Sequence, residues 1–149
     1  MKNLHDPTCV AEIRSRVAKL RPDSTRQWGK MNVSQAVAHL CAGIESALGD
    51  VRPPRLFIGR VFGGLAKKAA LAKDGPIRKN APTAPSLRIT DARDLERERA
   101  RLLTLIDRFA TGAAACTSHP HVFFGPMTPD EWAVLQYKHL DHHLRQFGV

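Results

Sequence analysis

The sequence predicts an all-α fold, a helical bundle carrying a basic insertion between its second and third bundle helices. Three observations point there. Four stretches repeat apolar residues at three- and four-residue steps behind a residue able to cap a helix. The 149 residues suit one domain, 1–149, with a sizeable core. The excess positive charge is confined to the stretch that separates the second and third of those helices.

The first helix is expected from about Asp6 to Leu20. Asp6 can cap, Pro7 fits the first helical position, and Val10, Ile13, Val17 and Leu20 share a face. The link from Arg21 to Met31 holds the turn formers Pro22, Asp23 and Gly29. Trp28 within it is expected as a hydrophobic lid on the bundle end, or as pocket lining. A second helix should start at about Val33, with Asn32 as cap and Gln35 closing a capping box, and end near Gly49.

From Val51 to Thr90 nine basic residues (Arg52, Arg55, Arg60, Lys67, Lys68, Lys73, Arg78, Lys79 and Arg88) stand against one acid, Asp74, in a chain of net charge +9. The first half is expected to form one or two short or irregular helices, interrupted at Gly59 or at Gly63-Gly64. The second half, rich in proline, reads as a long crossover loop, and loops of that length in small domains often carry function.

A third bundle helix is expected from a cap at Thr90, with acids early and Gly112 to stop it. Leu95, Leu102, Leu105, Ile106 and Phe109 would line its inner side, and Glu96, Arg97, Glu98 and Arg99 would face water. In the following AAACTSHPHVFFGPM, His119-Pro120 favours extended chain, and Phe123 and Phe124 should fold back onto the bundle end. The last helix has the best-marked start: Thr128 caps, Pro129 takes the first position and Glu131 completes a capping box.

The histidines carry the candidate chemistry. At about 100° per residue, His139 and His143 lie within about 40° of each other on the last helix, while His142 lies about 80° from their midpoint. His39 is seven residues past its cap, and His139 and His143 are eleven and fifteen past theirs. The three imidazoles therefore stand at one-turn increments of depth if both helices start at the same end of the bundle. One metal ion shared by three neutral imidazoles, with open positions for water or substrate, is the pattern of a catalytic site. Against this, Val33, Val37, Leu40, Ile44 and Leu48 form a stripe about 140° from His39, which would turn His39 from the main core. Its small or polar neighbours Gln35, Ala36, Gly43 and Ser46 leave room for a pocket or for solvent. On the last helix Trp132, Gln136 and Gln146 share the histidine side, as pocket wall and as hydrogen-bonding amides, and Asp141 points away. His119, and less so His121, are candidate further ligands or acid/base groups.

The segments HPHVFFGPMTPDEWAVLQYKHLDHHLRQFGV, WGKMNVSQAVAHL and KNAPTAPSLRITDARDLERERARL resemble the DinB/YfiT-like superfamily of metalloenzymes, in a branch known as a domain of unknown function. The likeness runs from about Trp28 onward. It implies a four-helix bundle whose metal is held by one histidine of the second helix and two of the last, which here are His39, His139 and His143. Many relatives follow the last ligand with Arg-Gly-Gln, where this chain has Leu144-Arg145-Gln146. The resemblance further implies a divalent-metal enzyme, a transferase, isomerase or hydrolase, in which the ion activates water or a low-molecular-weight thiol. Zinc is the first expectation, with nickel, manganese and iron open on ligand type.

Composition narrows the partners. No apolar run approaches the roughly 20 residues of a bilayer span, and the N-terminal stretch reaches charge and proline too early for a signal peptide. A cytoplasmic protein is expected. Cys9, Cys41 and Cys116 are odd in number and contain no Cys-x-x-Cys pair, so neither a disulfide framework nor a thiolate cluster is indicated. The chain lacks a recognisable nucleic-acid-binding signature. The basic insertion is then a solvated face, a recognition element for an anionic small-molecule substrate, or a contact for nucleic acid or a membrane surface. The rival reading is a non-catalytic basic helical binding protein that contacts an acidic partner. A homodimer, covered by the apolar residues of the insertion, is left open.

Overall fold

Helix α1 (Pro7–Val17) begins where Asp6 accepts from the Thr8 amide, with Pro7 in the first turn. Helix α2 (Val33–Leu48) has a complete capping box between Asn32 and Gln35, and Gly49 ends it in the left-handed conformation. Helix α5 (Pro129–Gln146) has the same box between Thr128 and Glu131. The structure, a computed structural model, describes residues 1–72 and 74–149. Lys73, one of the nine basic residues of the insertion, lies outside the described residues.

The insertion departs from expectation. Phe57–Leu71 forms one uninterrupted helix, α3, running through Gly59, Gly63 and Gly64. The reason is close approach. A Cβ at Gly59 would stand 2.5 Å from the Phe123 carbonyl oxygen, and one at Gly63 would be nearer still. The i, i+4 glycines thus form a trough in α3 that seats the backbone of the Phe123-Phe124 turn. Leu56 donates to the Val122 carbonyl at 2.9 Å, and Lys67 pairs with Glu131 of α5 at 2.9 Å. From Asp74 to Arg88 the described chain is a loop with one short 3-10 turn at Pro85–Leu87, as the prolines predict.

Helix α4 (Leu95–Phe109) starts one turn later than expected, because Asp94 caps it by accepting from the Arg97 amide, and Thr90 does not. Its inner side is as read from the sequence. Glu98 is not: it is buried, held by Arg93 at 3.2 Å and Arg101 at 3.1 Å, so two guanidinium groups replace the water expected around it. Helix α2 packs mostly on α4 and also on α5, and α1 bridges α5 and α4. This all-helical arrangement, without a named strand among the described residues, is compatible with a four-helix bundle of α1, α2, α4 and α5. Its core includes Ile13, Val17, Leu40, Ile44, Leu102, Ile106, Phe109, Leu140 and Leu144. Phe124 folds back against this core as expected, in a tight turn that pairs His121 with Gly125. No helix among the described residues is long and apolar enough to cross a membrane.

Candidate metal centre

Helix α2 resolves the conflict between His39 and its apolar stripe. Because α2 is sandwiched between α4 and α5, the face away from the stripe is also an interface, and His39 is 4% exposed. There it meets α5. His39 Nε2 lies 2.9 Å from His139 Nε2, and the ring centroids of His39, His139 and His143 are 4.8 to 5.0 Å apart. One ligand-capable atom from each of the three lies within 4.8 Å of the others. Gly43 makes room: a Cβ there would stand 3.0 Å from the His139 ring.

The outer nitrogens fix the protons. His39 Nδ1 lies 2.8 Å from the Leu87 carbonyl oxygen, which can only accept, so Nδ1 carries the hydrogen and Nε2 is bare. Gln146 donates its amide nitrogen to the Trp28 carbonyl at 2.7 Å, which leaves its oxygen to accept from His143 Nδ1 at 2.7 Å. His143 Nε2 is bare as well. Such outer acceptors orient metal-ligating imidazoles. Burial is the main cause that pushes all three rings below their ordinary range, His143 to about 3 and His139 well below, with the neighbouring imidazoles adding to it. His139 keeps some surface on solvent, yet protein crowds its ring. All three are therefore neutral near pH 7, the state in which imidazole binds a cation.

The surrounding residues divide clearly. His142 does not join the cluster: its Nδ1 donates to the Ile77 carbonyl at 3.2 Å, and its Nε2 faces the Trp28 indole N–H at 3.5 Å. Gln136 donates to the Gly43 carbonyl at 3.3 Å, and its buried oxygen has no partner among the described residues and borders the gap over Gly43 that His139 also borders. Asp141 faces away, bound by Arg16 and Arg145.

Two of the expected pocket residues do not line the open cleft beside His142. Trp132 is 1% exposed and packs on His121. His119 is not part of the three-histidine group; its backbone amide donates to the Thr117 hydroxyl, and the Thr117 amide donates to the Ala47 carbonyl, two turns beyond His39 on α2. The aromatic wall is Trp28. Together with Gln27, Ile77, Lys79, His142 and Arg145 it lines a cleft of about 430 Å³, and Lys79 sits 4.5 Å over its ring. The lid-or-lining choice for Trp28 falls on lining. His142 joins this cleft to the cluster, its ring 5.0 Å from that of His143.

Sequence reasoning missed the carbonyls of Leu87, Ile77 and Trp28, since a backbone acceptor leaves no signature in residue types. Gly43 was noted only as small. Cys9, Cys41 and Cys116 are free, and burial pushes the Cys41 thiol up to about 12, as suits a core residue.

The profile of a family described as "Protein of unknown function (DUF1569)" matches residues 3–148. No curated protein and no solved structure matches the chain.

Proposed function

We propose, for a chain that belongs to the DUF1569 family, a divalent-metal-dependent enzyme on a DinB/YfiT-like four-helix bundle, with His39, His139 and His143 as the metal ligands. One observation carries this reading. Of three clustered, neutral imidazoles the two buried ones, His39 and His143, have their outer N–H groups bound to acceptors, so that their bare nitrogens face the cluster. Zinc fits such a nitrogen set, and nickel, manganese or iron would also be accepted. Bound there, a divalent ion supplies Lewis acidity, which lowers the pKa of a water or a low-molecular-weight thiol and makes it nucleophilic near neutral pH.

The chain's own residues do the rest. Leu87 and Gln146 hold the His39 and His143 rings in one tautomer and orientation. The packed helices bury His39 and His143 and leave His139 partly on solvent. The cleft beside His142 offers a flat aromatic face at Trp28 and cationic groups at Lys79 and Arg145, which suits a small anionic substrate.

The test begins with protein purified without a histidine tag. Elemental analysis should find about one divalent ion per chain, and His139→Ala should remove it. Titrating a small thiol into the zinc-loaded protein should then raise a thiolate absorbance band. If no stoichiometric metal is found and His139→Ala leaves the binding of added zinc unchanged, the metal reading is overturned. The rival, a non-catalytic partner-binding protein, predicts salt-sensitive binding that survives replacement of all three histidines.

A further inference from the structure

Among the described residues nothing covers the outer face of α3. Phe57 is 82% exposed, Leu65 74%, Val61 62%, and Ile58 and Phe62 56% each, in a protein whose other large apolar side chains are mostly enclosed. At about 100° per residue the five occupy an arc of about 140°, opposite the glycine trough that seats the Phe123-Phe124 turn. Together they expose about 600 Å² of apolar side chain, at the top of the range for the largest patch on a typical monomer, a patch that often serves a function. The charged residues beside this face are cations. Arg60 stands on one rim, Lys68 at its C-terminal end and Arg52 just ahead of the helix, all exposed, and no acid occurs between Val51 and Ala72.

We propose that α3 is an interfacial helix that docks the protein on an anionic bilayer surface, with Phe57, Ile58, Val61, Phe62 and Leu65 entering the headgroup–acyl boundary. Charge complementarity selects this occupant. An outward apolar face bordered only by cations matches a helix lying in the plane of an anionic leaflet, where Arg and Lys extend their heads to lipid phosphates. A second copy placed face to face would bring the same cationic borders together, and like charges set opposite each other oppose that pairing. Anchorage is provided on the protein side, where Lys67 is tied to Glu131 and to the Pro126 carbonyl and so fixes α3 to the bundle. The proposal is independent of the metal reading.

Flotation of the intact chain with vesicles tests it. Vesicles of phosphatidylcholine with about one-quarter phosphatidylserine should carry the protein, whereas phosphatidylcholine alone should carry little, and added salt should weaken binding. Phe57→Ser with Phe62→Ser should lower partitioning at least about 100-fold, and Arg60→Gln with Lys68→Gln about 25-fold, at about five-fold per cation. Both pairs are exposed, so helicity by circular dichroism should not change. Absence of binding to the anionic vesicles overturns the proposal, as does binding indifferent to the Phe pair. A dimer in sedimentation that dissociates on the Phe57/Phe62 replacement also overturns it, by showing that a second copy occupies the face.

Discussion

Gln146 offers the sharpest perturbation of the centre, because its amide is 2% exposed and makes two hydrogen bonds of opposite sense. Gln146→Leu keeps the volume and removes both, stranding the His143 N–H and the Trp28 carbonyl. A buried polar group left without a partner costs about 1–3 kcal/mol. The Trp28 carbonyl belongs to a half-buried residue that water can reach, so the total should be about 2–3 kcal/mol. For a chain of this length that lowers Tm of the metal-free protein by about 6–10 °C. Metal affinity should fall separately, by about 10–100-fold, since His143 loses the acceptor that fixes its tautomer. Gln146→Glu separates the two effects. It retains an acceptor for His143 but turns an oxygen toward the Trp28 carbonyl, so stability should fall while affinity is largely kept. Thermal unfolding without metal and competition titration of zinc give the two readouts. If Gln146→Leu lowers Tm but leaves the zinc Kd within two-fold of wild type, Gln146 does not orient a ligand and the argument for a preorganised centre fails.

The glycines of α3 give a graded test: Gly59→Ala and Gly63→Ala each drive a Cβ into the Phe123 backbone and should destabilise by about 2 kcal/mol or more, although alanine is the better helix former. Gly64→Ala meets nothing within 4 Å and should instead stabilise by up to about 1 kcal/mol, and urea unfolding of the three variants reads the contrast. His121 predicts a pH dependence, because burial pushes its imidazole down to about 4 and the unfolded chain takes up the proton first as pH falls. Its contribution is full above about pH 6.5 and is lost toward pH 4, so about 2 kcal/mol should disappear between pH 7 and pH 5. His121→Asn keeps an acceptor for the Phe123 and Phe124 amides and should remove that share of the slope in urea unfolding of the metal-free protein, the remainder belonging to the depressed imidazoles of the cluster.

What could be read in advance was what residue types and helical spacing encode. Asn32, Gln35, Thr128 and Glu131 announce two helix starts because capping boxes are local, and the start of α4 slipped because Thr90 and Asp94 are both competent caps. The same rotation arithmetic put His139 and His143 on one face with Gln136 and Gln146. Trp132, read onto the same side, is buried against His121. Long-range approach was the blind spot. Gly59 and Gly63 read as helix breakers when judged alone and act as a contact surface only once the turn at Phe123 is in place. Lys67, which looked like one more free cation of the basic run, anchors α3 through Glu131. Charge reversal there would disturb the fold as well as any partner, which leaves Lys68 as the clean probe of that surface.

The protons of the metal-free cluster contain a last prediction, because the three rings cannot all be oriented alike without an ion. His39 donates from Nδ1 to Leu87, so its Nε2 is bare, and the 2.9 Å approach of His139 Nε2 is a hydrogen bond only if His139 carries its proton there. His139 Nδ1 is then bare, and the Gln136 oxygen, buried and without a partner among the described residues, has nothing to accept. An ion held by the three Nε2 atoms would reverse this, moving the His139 proton to Nδ1 on the side where Gln136 borders the gap over Gly43. Long-range nitrogen–proton correlation spectra distinguish the two tautomers directly. His139 should be the Nε2–H form without metal and the Nδ1–H form with zinc, whereas His39 and His143 should remain Nδ1–H throughout. A His139 already in the Nδ1–H form before metal is added would mean that the 2.9 Å contact is not a hydrogen bond, and the Gln136 oxygen would then need a different explanation.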